Sequence, residues 1–121
     1  MPIADDVRLG DGVEIPHPDL VNLYGCSIGA GSRIGPFVEI QRGVAVGNWC
    51  KIGSHSFLCS GVTLEDEVFV GHGVMFTNDR HPRASVGAGL RGPGDWTLEP
   101  RRVGRGASIG SGAVILPGRT I

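Results

Sequence analysis

His55, His72 and Asn78 are the residues whose types and spacing first suggest chemistry. An imidazole titrates near neutral pH and can take a proton from an attacking nucleophile. His72 stands between Gly71 and Gly73, and paired glycines let a ligand approach the backbone closely. His55 lies seventeen residues before it. Asn78 opens a polar run, with Asp79, Arg80, His81 and Arg83 close behind, that offers donors and acceptors to a polar substrate. Each residue also has a plainer use, since polar side chains at turns commonly satisfy the turn itself. Which use applies depends on the elements that carry them.

Those elements follow from a repeat. Glycine supplies 21 of the 121 residues, well above its usual share of about 7%, and the glycines recur rather than cluster as in a linker. Steps of six from Ile28 meet Ile34, Ile40, Val46, Ile52, Leu58, Leu64, Val70 and Phe76, all large and apolar. Two residues before each stand Cys26, Ser32, Val38, Val44, Cys50, Ser56, Val62, Val68 and Val74, all small or β-branched. A period of six fits neither a helix nor a hairpin meander. Residues two apart share one face of a short strand. Gly29, Gly35, Gly47, Gly53 and Gly71 follow large residues and are expected to turn the corners with positive φ. Three strands and three corners close an eighteen-residue triangular coil. Stacked coils then pair as parallel strands about 4.8 Å apart. The pattern predicts an all-β solenoid in which no single repeat can bury its own face.

The same arithmetic places the chemistry. His55 and His72 follow the inward residues Ile52 and Val70, so both are expected on one prism edge in adjacent coils. Asn78 falls at the next corner, after Phe76. The period resumes at Val103, Ile109, Ile115 and Ile121, with Ala107 and Ala113 at small sites. Residues 77 to 102 have no period and contain Pro82, Pro93 and Pro100. A long excursion from a compact domain is usually functional. The organisation predicted is one domain over 1–121. Residues 1–25 form an irregular first coil and cap, 26–76 regular coils, 77–102 an excursion loop, and 103–121 a final coil. Arg119 stands where a small inward residue is expected, and the coil at Ile121 is unfinished. Such an end calls for cover by a partner subunit, or marks a truncated chain.

Two stretches carry a resemblance. GHGVMFTNDRHPRA (residues 71 to 84) and YGCSIGAGSRIGPFVEIQ (residues 24 to 41) resemble the nucleotide-sugar N-acetyltransferases of the left-handed β-helix, or hexapeptide-repeat, superfamily. The handedness of the coil is taken from that resemblance, because most parallel crossovers are right-handed. The resemblance implies transfer of acetyl from acetyl-CoA to the 3-amino group of a UDP- or dTDP-linked amino sugar, in polysaccharide precursor synthesis. It implies a homotrimer with sites in the clefts between prisms. It implies Asn78 and His72 as catalytic residues, Asn78 holding the sugar near its amine. His55, Asp79, Arg80 and Arg83 would contact the substrate. Arg102, Gly104, Ala107 and Ala113 would bind the cofactor, the backbone amides of the later coils lining the pantetheine groove. No metal is implied. Asn78→Ala is expected to cut turnover severely and leave thermal unfolding nearly unchanged.

The same residues bear on other functions. A zinc lyase of the γ-carbonic anhydrase kind needs three protein ligands, and that family's H-x₄-H spacing fails here, since Phe76 and Thr77 follow His72 at the fourth and fifth positions. A non-catalytic or truncated scaffold and an acyltransferase with a different acceptor keep the same fold. A formal charge of -1 argues against nucleic acid as a partner. No apolar run is long enough to span a membrane, and the acidic start MPIADDVRLGDG does not read as a secretory signal. Cys26, Cys50 and Cys59 are an odd number without metal-type spacing, which favours a reducing, cytoplasmic setting over a disulfide framework.

Overall fold

The computed structural model describes residues 2–87, 89–118 and 121. Short strands of two or three residues stack into three parallel walls around one apolar core. The first wall holds Arg8–Leu9, Ser27–Ile28, Ala45–Val46, Val62–Leu64 and Arg101–Val103. The second holds Arg33–Ile34, Lys51–Ile52, Phe69–Val70 and Ser108–Ile109. The third holds Asn22–Leu23, Glu39–Ile40, Phe57–Leu58, Met75–Phe76 and Val114–Ile115. Large residues stack on large ones: Ile34 pairs with Ile52, Ile52 with Val70, and Val70 with Ile109. The first two steps are the eighteen-residue coil predicted from the period of six, and the third spans an excursion of the chain.

Both inward columns are buried. Ile34, Ile40, Leu58 and Val70 expose none of their surface, and Val38, Val62 and Val68 only 1%. Burial of such a side chain contributes roughly 1.5–3 kcal/mol. The two serines among the small positions are satisfied internally. Ser32 Oγ donates to the Gly47 carbonyl at 2.9 Å and accepts from the Cys50 N–H at 3.0 Å. Ser56 Oγ does the same with Gly71 at 2.9 Å and Val74 at 3.1 Å. A hydroxyl is tolerated in this core because both of its hydrogen-bonding capacities are used.

The corners correct one expectation. Positive φ falls three residues after each large inward residue, not one, and is taken by Gly31, Phe37, Gly43, Trp49, His55, Gly61, Glu67 and Gly73. The glycine directly after the large residue serves close packing instead. A Cβ on Gly53 would lie 2.6 Å from the Gly71 carbonyl oxygen, and one on Gly29 2.5 Å from that of Gly47. Glycine is needed there because successive coils meet backbone to backbone.

The first coil is less regular: Glu14 bridges to Arg33 and Ile3 to Leu23, with a 3₁₀ turn at Pro18–Leu20 between strands. The excursion leaves after Phe76, and pairing resumes at Arg101, so Arg101 and Arg102 sit on the first wall rather than in the loop. Thirty-nine residues, instead of eighteen, therefore separate Leu64 from its partner Val103. The excursion has structure of its own, an antiparallel hairpin of Ser85–Val86 with Gly89–Leu90 and a 3₁₀ turn at Pro93–Asp95. The inward site expected of Arg119 lies outside the described residues.

Candidate functional site

Two prism edges carry His55, His72 and Asn78. His55 and His72 share the edge between the second and third walls, as predicted. His55 adopts φ of 64° and its ring lies over Phe37, with centroids 4.8 Å apart. A left-handed conformation costs a non-glycine residue roughly 1–2 kcal/mol, and the ring contact offsets part of that. His72 is exposed, and its N–H donates to Ser111 Oγ at 2.9 Å. The same hydroxyl lies 3.5 Å from His72 Nδ1. Nε2 has no hydrogen-bond partner among the described residues. Ser111 was missed by sequence reasoning. It stands thirty-nine residues after His72, the same step that links Leu64 to Val103 across the excursion. The period alone does not pair the two, because the excursion lengthens that step from eighteen residues to thirty-nine.

Asn78 occupies the edge between the third and first walls. Its Nδ2 donates to the Ser60 carbonyl at 2.9 Å, and its own carbonyl accepts from the Glu99 N–H at 2.8 Å. The returning loop is thereby fastened over the third wall. Between loop and wall lies a cavity of about 550 Å³, lined by Phe57, Cys59, Phe76, Asn78, Trp96 and Leu98 among others. His72 is not among its lining residues. One chain thus carries His72 and Asn78 on different edges, with the third wall between them.

The loop residues are largely engaged with one another. Asp79 pairs with Arg91 at 3.0 Å and accepts the His81 N–H at 3.1 Å, so both its oxygens fix the loop. Arg80 lines the cavity while its Nε pairs with Glu99 at 2.9 Å. Arg83 is exposed and bonds the Pro82 carbonyl at 2.9 Å.

The later coils carry the residues expected to bind the cofactor. The Ala107 and Ala113 amides donate to the turn carbonyls of Gly104 and Gly110, at 3.2 and 3.3 Å, and both side chains pack on the core. The Gly104 amide donates to Ile121 at 2.6 Å. Each of these three N–H groups has an acceptor within the chain. Arg102 bonds Glu65 at 2.6 Å, and that contact, with the Arg105 N–H, holds the Glu65 carboxyl below the usual range. The cysteines are buried, and burial raises each thiol, that of Cys59 to about 11. A thiol so protonated is a poor nucleophile. Among the described residues, no three or more His, Cys, Asp or Glu side chains are grouped to hold a metal, and no helix is long and apolar enough to cross a membrane.

Comparison with known proteins adds to this geometry. Residues 25–60 match the family described as bacterial transferase hexapeptide, six repeats. The bifunctional protein GlmU of Alkalilimnicola ehrlichii is 31% identical, over 93% of this chain and 28% of its own length. That of Desulfitobacterium hafniense is 30% identical, over 93% of this chain and 21% of its own length. The chain therefore spans under a third of the curated relatives it matches. The solved structure of WeeI from Acinetobacter baumannii shares the fold at a TM-score of 0.52, with 16% identity, over 98% of this chain and 52% of that one. The architecture is the parallel β-helix expected from the repeat, with the left hand that the resemblance implies.

Proposed function

From a left-handed prism whose coils carry the hexapeptide repeat of bacterial transferases, we propose an acyltransferase that moves acetyl from acetyl-CoA to the 3-amino group of a nucleotide-linked sugar. The observation that carries this is the loop-roofed cavity with Asn78 at its wall, set on an otherwise regular prism. The solved fold relative and the matched repeat family support a transferase of this architecture.

The reaction asks little of the protein. The amine nitrogen attacks the thioester carbonyl, the C–N bond forms, the C–S bond breaks, and the departing thiolate ends as free thiol. Alignment of the two reactants can supply up to about 7–11 kcal/mol of the barrier. A positioned base adds about 10²–10⁴-fold. His72 is the candidate acceptor for the amine proton, its main-chain N–H anchored by Ser111 and its Nε2 unpartnered. Asn78 keeps Oδ1 for the sugar, since Nδ2 is committed to Ser60. Because the two residues stand on different edges, a site that uses both is built from two copies of the chain. That geometry favours a cyclic homotrimer with a site in each cleft. Use of acetyl-CoA fits a cytoplasmic enzyme.

The test is an acetyl-transfer assay against a panel of UDP- and dTDP-linked 3-amino sugars, read as release of CoA thiol. Turnover on at least one is expected. Silence on every sugar, with acetyl-CoA hydrolysed or transferred elsewhere, would replace the acceptor class.

A further inference from the structure

The outward face of the second wall differs from the other two. Its residues form a column: Arg33 stands directly opposite Lys51 on neighbouring strands, and Lys51 opposite Phe69. Two cations therefore sit one strand spacing apart, about 4.8 Å between backbones. Like charges placed opposite each other across strands are destabilising. The corresponding columns of the first and third walls set Ser27 beside Ala45 and Glu39 beside Phe57, with no such repulsion. Most arginines of this chain are tied to carboxylates, as Arg42 is to Asp6 and Arg105 to Glu67. Lys51, the sole lysine of the sequence, has no ion pair among the described residues. Arg33 has only Glu14, at 3.2 Å and with both side chains more than half exposed.

These cations border a groove of about 500 Å³ whose lining includes Arg33, Lys51, Ser54, Phe69 and His72, and contains no Asp or Glu. Phe69 is 40% exposed, an apolar surface at the cationic end of the column. Two cations, one of them paired with Glu14, and an aromatic face make a receptor for a phosphorylated, partly apolar ligand.

We propose that this groove binds the diphosphate of a nucleotide, with Lys51 and Arg33 on the phosphates and Phe69 under the base or ribose. The anion relieves the repulsion that the two cations otherwise suffer. His72 lines the same groove, so a nucleotide seated there lies beside the proposed proton acceptor. The diphosphate has two sources in the proposed reaction, the nucleotide sugar and CoA. Only the choice of source rests on the function proposed above; the groove itself rests on the wall.

Calorimetric titration of the full chain with inorganic pyrophosphate, UDP, dTDP and CoA tests the site without turnover. Lys51→Glu is expected to weaken binding at least tenfold, with an unfolding temperature equal to or above that of the parent. Phe69→Ala is expected to reduce UDP or dTDP to the affinity of pyrophosphate. Arg8→Glu, the same charge reversal on the first wall, is expected to leave affinity unchanged. Loss confined to UDP and dTDP assigns the groove to the acceptor, and loss confined to CoA assigns it to the donor. A parent chain that binds none of the probes, a Lys51→Glu variant that binds them all as the parent does, or an equal loss in Arg8→Glu would overturn the proposal. Intact nucleotide binding with no acetyl transfer to any sugar would sink the reaction and leave the groove standing.

Discussion

At Asn78 the amide nitrogen is part of the scaffold, donating to the Ser60 carbonyl at 2.9 Å. Truncation to alanine leaves that carbonyl without its partner, a loss of about 1–2 kcal/mol. The sequence alone suggested no effect on unfolding. With the contact in place, Asn78→Ala should lower the melting temperature by a few degrees as well as cutting turnover about a hundredfold or more. Paired melting and rate measurements check this, and a full-rate variant would remove Asn78 from the chemistry. His55 separates cost from use more cleanly. His55→Gly relieves the left-handed φ of 64° but gives up the ring contact with Phe37, so stability should change by less than about 1 kcal/mol. Any larger fall in turnover would then report a contact with substrate. Cys59, whose thiol is raised to about 11 by burial, should resist thiol reagents at pH 8 in the native state and react only on unfolding, together with Cys26 and Cys50. Rapid native labelling of Cys59 would contradict its burial.

The coil rests on two kinds of glycine, and substitution tells them apart. Gly53→Ala drives a Cβ to 2.6 Å from the Gly71 carbonyl oxygen, where backbone must shift; a loss of about 2–4 kcal/mol is expected. Gly73→Ala meets no atom within 4 Å but holds φ at +62°, which costs about 1–2 kcal/mol. Denaturant unfolding of the two variants should rank them in that order, and the reverse order would mean that the coils can part more readily than the stacking implies. The excursion belongs to the same scale. Asp79 with Arg91 and Arg80 with Glu99 tie its outgoing and returning parts to each other.

For the molecule as a whole, His72 and Asn78 on separate edges make a sharp prediction. His72→Ala and Asn78→Ala chains, each inactive alone, should regain partial transfer activity when refolded together, because one cleft then receives both intact residues. No recovery, with mixed assemblies demonstrated, would confine the site to one chain. Acid should also loosen the structure. Asp6 is held below the ordinary carboxylate range by the Gly25 N–H and then Arg42, and Glu65 by Arg102 and then the Arg105 N–H. A carboxyl with a lowered folded pKa contributes stability that is present above its unfolded value and lost as pH falls through the folded one. Melting temperature should therefore be level above about pH 5 and fall below about pH 4. Both groups are exposed and screened, so high salt should flatten the fall.

The six-residue period by itself determined the prism, its two inward columns and the edge shared by His55 and His72, because side-chain alternation and stacking are set by chain arithmetic. It also marked where the excursion begins. Tertiary structure decided what glycine was for at each place, since one residue type serves both positive φ and backbone contact and spacing does not say which. It decided that Asp79, Arg80 and Arg102 have partners 12, 19 and 37 residues away. It alone set Ser111 beside His72 and Arg33 opposite Lys51. Such contacts depend on how many residues lie between coils, and on which side chains reach across an edge. Neither quantity is local to the residues that use it.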